Sequence, residues 1–261
     1  MFDSLFLLLT SVGLLSAAPS HSNSLGQMTV DGGRIIGGVE ISIEKAPWQV
    51  SLEVNGYNFC GGVIYSKNII ITAAHCVYDK LLNDLSVRAG ATTHNLGGSV
   101  VGVSAISLHE QYDNIIATND IALLLLSSPL RLSKFVQVIP LATEEPSIGS
   151  TASVSGWGYT NGPTSNRLRS VNVDIVARAE CLKVYGEKVF IRTSICASAP
   201  GKDACVGDSG GPLVYQGQLV GIVSHGKGCA LSTYPGVYAN VPTLNKWILR
   251  TASVLHQDEE M

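Results

Sequence analysis

Charge is scarce. Asp, Glu, Lys and Arg make up only 14% of the 261 residues, and the formal net charge is -3. No block of Lys or Arg could follow a phosphate backbone, which argues against nucleic acid as a partner. Long hydrophobic runs are equally rare. The one that stands out, Leu5 to Ala18, is shorter than the roughly 18 to 20 residues a spanning helix needs. Small residues at Ser16 and Ala18 suit cleavage after Ala18, so residues 1–18 read as a secretory signal and the protein as extracellular, with no membrane anchor.

Cysteine is sparse but even in number. Six cysteines in an exported chain favour disulfides over free thiols, although six permit about fifteen pairings. There is no Cys-x-x-Cys and no pair of His at helical ligand spacing, so no zinc site, no catalytic metal and no cofactor is expected. No Asn-x-Ser/Thr acceptor occurs, which removes N-linked glycosylation.

Helical periodicity is nearly absent as well. Residues 19–34 are rich in Ser and Gly, with one Asn, and offer little that could build a core, so they read as a flexible segment open to proteases. Beyond them, β-rich runs alternate with turn residues: Trp48 to Val54, then Asn55-Gly56, then Tyr57 to Tyr65 form a hairpin signal. Further runs lie at 69–72, 85–89, 100–106, 121–126, 168–176 and 218–224, a spacing that argues for an all-β barrel or sandwich. Only the end looks helical: Thr243 is placed to cap a segment in which Leu244, Trp247, Ile248, Thr251 and Leu255 share a face.

Three short segments carry chemistry. Gly207-Asp208-Ser209-Gly210-Gly211-Pro212 surrounds one serine with glycines, which frees backbone N–H groups to converge and leaves the hydroxyl accessible. Such a serine is by default only a turn, and it needs a base. His75, in Thr72-Ala73-Ala74-His75-Cys76, follows an apolar β-branched run and can exchange a proton near neutral pH. Asp120 immediately precedes the apolar run Ile121-Ala122-Leu123-Leu124, where a carboxylate would be partly desolvated and would need a partner. A lone His is more often structural and a strand-end Asp more often solvated. Their joint occurrence in one chain supplies what acyl transfer requires: a nucleophile, a base and a group to orient it.

With Ile35-Ile36-Gly37-Gly38 before these segments and Pro235-Gly236-Val237-Tyr238 after them, the sequence after Arg34 resembles the trypsin-like branch of the chymotrypsin family of serine proteases. The resemblance implies an all-β fold of two six-stranded antiparallel β-barrels with the active site between them and a C-terminal helix. Residues 1–18 would then be the signal peptide, 19–34 an activation propeptide and 35–261 the protease domain. It implies Ser209 as nucleophile, His75 as general base and acid, Asp120 as the group that orients His75, and the N–H groups of Gly207 and Ser209 as the oxyanion hole. It also implies the disulfides Cys60 with Cys76, Cys181 with Cys196, and Cys205 with Cys229.

On the same resemblance, Asp203 lies at the base of a specificity pocket bordered by Ala204, Ser224, Gly226 and Gly236, favouring a substrate Arg or Lys. Ala204 stands where digestive trypsins commonly carry a serine, which favours Arg over Lys. His225 stands where tryptophan is usual, and with Ala117 it suggests a roomier neighbouring subsite. A cut between Arg34 and Ile35 would create an ammonium whose expected partner is Asp208. Calcium is not expected, because no Asp or Glu occurs between Arg88 and Leu108. The implied partners are protein or peptide substrates, protein inhibitors and an activating protease, with the chain a monomer. A catalytically silent two-barrel binding protein is the alternative from another class, and chymotrypsin-like cleavage after large apolar residues is the alternative that Asp203 opposes.

Overall fold

A computed structural model describes residues 37–158, 166–231 and 233–257. The expected signal segment, Arg34, Ile35 and Ile36 lie outside the described residues. The elements run β1 (Val39–Glu40), β2 (Gln49–Val54), β3 (Tyr57–Ile64), β4 (Ile69–Thr72), the one-turn α1 (Ala74–Val77), β5 (Leu85–Ala89), β6 (Ser99–Leu108) and β7 (Ala122–Leu126). They continue with β8 (Thr151–Gly156), β9 (Arg169–Ile175), α2 (Arg178–Tyr185), β10 (Ser194–Ser198), β11 (Pro212–Tyr215), β12 (Gln218–His225), β13 (Gly236–Asn240) and α3 (Val241–Gln257).

Strands β2-β3-β4-β7-β6-β5 close into one antiparallel barrel. Strands β8-β9-β10-β13-β12-β11 close into a second through the β8–β9 and β8–β11 pairings, with β1 added on β9. Closure removes the open edges that would otherwise template aggregation. Alternation sets which side chains enter the cores: Leu85, Val87 and Ala89 of β5 are buried between half-buried neighbours, and Val171, Val173 and Ile175 of β9 alternate with exposed Asn172 and Asp174. The apolar face of α3, with Leu244, Trp247, Ile248, Ala252 and Leu255, is continuous with the larger core cluster.

Two local readings need correction. The helix starts at Val241, so Thr243 lies inside it; the last residue of β13, Asn240, accepts from the Thr243 N–H, and the Thr243 hydroxyl donates back to the Asn240 carbonyl at 2.9 Å. Pro242 is tolerated there because N–H groups in a first turn have no helical acceptor. Second, helix is not confined to the end: α2 exists although only Cys181 of its eight residues is buried. It shows no apolar stripe, and the Cys181–Cys196 disulfide fixes it to β10.

On the outer face of the first barrel, opposite the core residues Leu52 and Val87, Glu53 is fully buried and accepts from Arg88 Nε at 2.6 Å and from a second guanidinium nitrogen at 3.3 Å, while Arg88 also donates to the Gly97 carbonyl. Removing one partner would strand a buried charge. Arg88→Ala is therefore expected to lower unfolding free energy by about 3 to 5 kcal/mol, read from urea denaturation. A loss within the ±0.5 kcal/mol typical of neutral surface changes would refute the assignment.

Candidate active site

The chain leaves β4 at Thr72 and enters α1 within two residues, which puts His75 on a rigid corner. The neighbouring Cys76 is joined to Cys60 of β3, with Cα atoms 6.3 Å apart. His75 is bound to Asp120 at two points: its backbone N–H donates to Oδ1 at 2.8 Å and its Nδ1 to Oδ2 at 2.7 Å. The segment entering Asp120 turns through left-handed backbone at Ala117 and Asn119.

Asp120 is 2% exposed, and the Ser224 hydroxyl donates to its Oδ2 at 2.5 Å. Burial alone would raise its pKa, but the hydrogen bonds from His75 and Ser224 overcome this and hold the carboxyl below its usual range. An ionised Asp120 accepts only, so Nδ1 of His75 carries the proton of this bond and Nε2 points away from Asp120.

Ser209 comes from the second barrel and is tied to the first. Its carbonyl accepts from Gly61 N–H at 2.7 Å, and Gly61 follows the disulfide-bonded Cys60. The barrels approach so closely here that a Cβ on Gly210 would lie 2.2 Å from Thr72 Oγ1 and 2.4 Å from the Gly61 carbonyl oxygen. Only glycine fits. Along this loop the N–H groups of Asp208, Gly210 and Gly211 are consumed by the carbonyls of Cys205, Val223 and Asp208. Among the described residues, those of Gly207 and Ser209 have no protein acceptor. Gly207 sits at φ +92°, a conformation that L side chains avoid.

Beside Ser209 opens a cavity of about 240 Å³ whose lining includes Asp203, Ala204, Ser224, Gly226, Gly236 and Tyr238. Asp203 is 5% exposed; its Oδ2 accepts from Ala230 N–H at 2.9 Å, while Oδ1 and the Tyr238 hydroxyl find no partner among the described residues. Burial pushes its pKa up to about 6 against the N–H groups of Ala230 and Ala204. A Cβ on Gly236 would stand 3.0 Å from Asp203 Oδ1, so the missing side chain keeps that oxygen reachable. A half-satisfied carboxylate at the end of a slot is a receptor for a cationic donor.

Asp208 is fully buried. Its Oδ1 accepts from Gly158 N–H at 2.8 Å and its Oδ2 from Cys205 N–H at 3.0 Å, yet burial still pushes its pKa up to about 7, with the Asp203 charge adding to the rise. A Cβ on Gly158 would lie 2.5 Å from its carboxyl carbon. The Cys205–Cys229 disulfide closes this loop against the segment beyond β12.

His225 has a connection that its sequence position does not disclose. Because the Ser224 hydroxyl gives its proton to Asp120, its oxygen accepts from His225 Nδ1 at 3.0 Å, so both histidines feed one carboxylate. Burial lowers the His225 pKa, and the nearby His75 acts in the same direction while Asp120 opposes it. Among the described residues, the one cluster with metal-ligand spacing is Cys60, His75 and Cys76, and both sulfurs are held in a disulfide.

Residues 35–248 match the family described as Trypsin. The chain is 50% identical to trypsin alpha of Drosophila melanogaster across 85% of its own length and 88% of that protein. It is 48% identical to trypsin iota of the same organism (85% and 90%) and 49% identical to trypsin delta of Drosophila erecta (84% and 89%).

The raised pKa of Asp208 has a consequence for the uncut chain. Its folded value near 7 exceeds the ordinary 3.8, so the folded state holds a proton that the unfolded state has released. The associated stability is complete below about pH 4 and is lost as pH rises through 7, on the order of 4 kcal/mol in all. Asp208→Asn in the precursor should flatten the unfolding free energy between pH 4 and 7; an unchanged slope would contradict the assignment.

Proposed function

Because this chain belongs to the trypsin family and is a serine endopeptidase cleaving after Arg and Lys, we propose that Ser209, His75 and Asp120 carry its chemistry. The observation that supports this reading most is the two-point grip of Asp120 on His75, which fixes both ring orientation and tautomer. The Ser209 hydroxyl oxygen bonds to the scissile carbonyl carbon while its proton passes to His75 Nε2, and the resulting imidazolium is stabilised by Asp120. The N–H groups of Gly207 and Ser209 receive the oxyanion. Each such donor contributes about 2.7 to 4 kcal/mol to the transition state.

His75 then returns the proton to the departing amine, leaving an acyl ester on Ser209. Water attacks that ester, giving its proton to His75, and the ester oxygen leaves with the proton as the acid product is released. Asp203 pairs with the cleaved residue's cation. Ala204 offers no hydroxyl to a lysine ammonium, whereas a guanidinium can still engage Asp203 with two N–H donors.

Residues 1–18 act as the signal for export to the extracellular space, and residues 19–34 as the propeptide. Cleavage of Arg34-Ile35 frees an ammonium that pairs with Asp208 and converts its buried carboxyl to the ionised form. Protein inhibitors presenting an Arg- or Lys-bearing loop fit the same cleft, and a monomer suffices for every step. Among the described residues no helix is long and apolar enough to cross a membrane.

Hydrolysis of matched Arg, Lys and Phe peptides, before and after controlled cleavage at Arg34-Ile35, tests this reading. Activity is expected only after the cut, with Arg preferred over Lys by about two- to tenfold, the value of one hydrogen bond, and Phe hardly cleaved. Ser209→Ala should abolish turnover while leaving the fold intact. Equal Arg and Lys rates would refute the role of Ala204, and no turnover by cut, folded protein would refute the catalytic assignment.

A further inference from the structure

We propose that Lys227 selects an acidic residue three positions before the cleaved Arg, and that the chain's own activation sequence, Asp31-Gly32-Gly33-Arg34, is thereby a preferred substrate; the inference rests on the protease reading above. The cavity wall begins at Ser224, held at the triad by its 2.5 Å hydrogen bond to Asp120. From there the chain leaves β12 after His225 and passes through Gly226 and Lys227 to Cys229, which is bonded across to Cys205. Residues 226–228 are exposed and belong to no sheet, so a substrate strand can add along them. An extended peptide advances about 3.2 to 3.4 Å per residue. With its Arg in the cavity and its chain laid along Ser224 to Lys227, its third residue upstream comes level with Lys227.

The ammonium of Lys227 is held at this rim. Its Nζ lies 5.0 Å above the centre of the Tyr234 ring, and Tyr234 packs edge-on against Tyr185 at 6.1 Å. Tyr185 is anchored in turn by donating its hydroxyl to the Pro235 carbonyl at 2.6 Å. Glycines on both sides leave the cation unobstructed. Among the described residues no carboxylate pairs with it. The complementary charge stands in the sequence itself: Asp31 is the sole acidic residue in 19–34 and lies three positions before Arg34. Gly32 and Gly33 between them present no side chain to His225. Cut enzyme would therefore recognise uncut copies, and activation would accelerate itself.

The test uses the cut enzyme with the amides Asp-Gly-Gly-Arg and Asn-Gly-Gly-Arg carrying a chromogenic amine. The Asp peptide should show about two- to fivefold higher kcat/KM, the range of an exposed ion pair, and the ratio should shrink in roughly 1 M salt. Lys227→Ala should bring the ratio to about one and Lys227→Glu should invert it, both retaining cleavage of the Asn peptide. Ser209→Ala precursor carrying Asp31→Asn should be cut more slowly than its Asp31 parent by wild-type enzyme and equally fast by Lys227→Ala. Equal rates on both peptides by wild type, or a preference that survives Lys227→Ala, would overturn the proposal. Cleavage of neither peptide would overturn the protease reading itself.

Discussion

The carboxyl of Asp208 is the group on which the rest of the site depends. It is fully buried beside Ser209, bonded to two backbone N–H groups and, in the described residues, paired with no cation. Two neutral donors do not compensate a desolvated negative charge, which is why its pKa stands near 7. The residues on either side, Gly207 and Ser209, carry the two N–H groups without an acceptor among the described residues. Whatever ionises Asp208 acts within one residue of both, so in the proposed mechanism a new ammonium would change the electrostatics at both N–H groups through a single buried partner.

The site also needs two barrels rather than one. His75 and Asp120 come from the first, Ser209 and Ser224 from the second. The contacts that register them are short: Gly61 N–H to the Ser209 carbonyl, Ser224 hydroxyl to Asp120, and the Gln49 side chain accepting from buried Ser155 at 2.8 Å. Gly210 makes this approach sterically feasible. The Cys60–Cys76 and Cys205–Cys229 disulfides then staple the histidine corner and the serine loop separately. The cavity with Asp203 belongs wholly to the second barrel and its loops, so it and the His75–Asp120 pair are built on different supports.

Much of this was legible in the sequence because it is local. The hairpin around Asn55-Gly56 appears as Gln49–Val54 and Tyr57–Ile64, and the apolar run after Asp120 is β7. The two-barrel architecture expected from the resemblance is the one observed. Strands β8 (TASVSG), β10 (SICAS), β11 (PLVY) and β13 (GVYAN) escaped a reading by pattern because Ser, Ala, Gly and Pro interrupt them, whereas the equally short β4 and β7 are nearly unbroken runs of Ile and Leu. Helix α2 escaped because its burial is concentrated in one cysteine. The link from His225 through Ser224 to Asp120 joins residues more than a hundred positions apart, and no local spacing encodes it. That Asp203 Oδ1 finds no partner among the described residues is likewise visible only once the fold has enclosed it.

The most direct test of the switch is the titration of the Asp208 carboxyl by carbon-detected NMR of selectively labelled protein, before and after the Arg34-Ile35 cut. The uncut chain should show a midpoint near 7, and in the cut chain it should fall below the ordinary carboxylate range as the Ile35 ammonium pairs with it. A midpoint that the cut does not move would contradict the claim that Asp208 receives the new terminus.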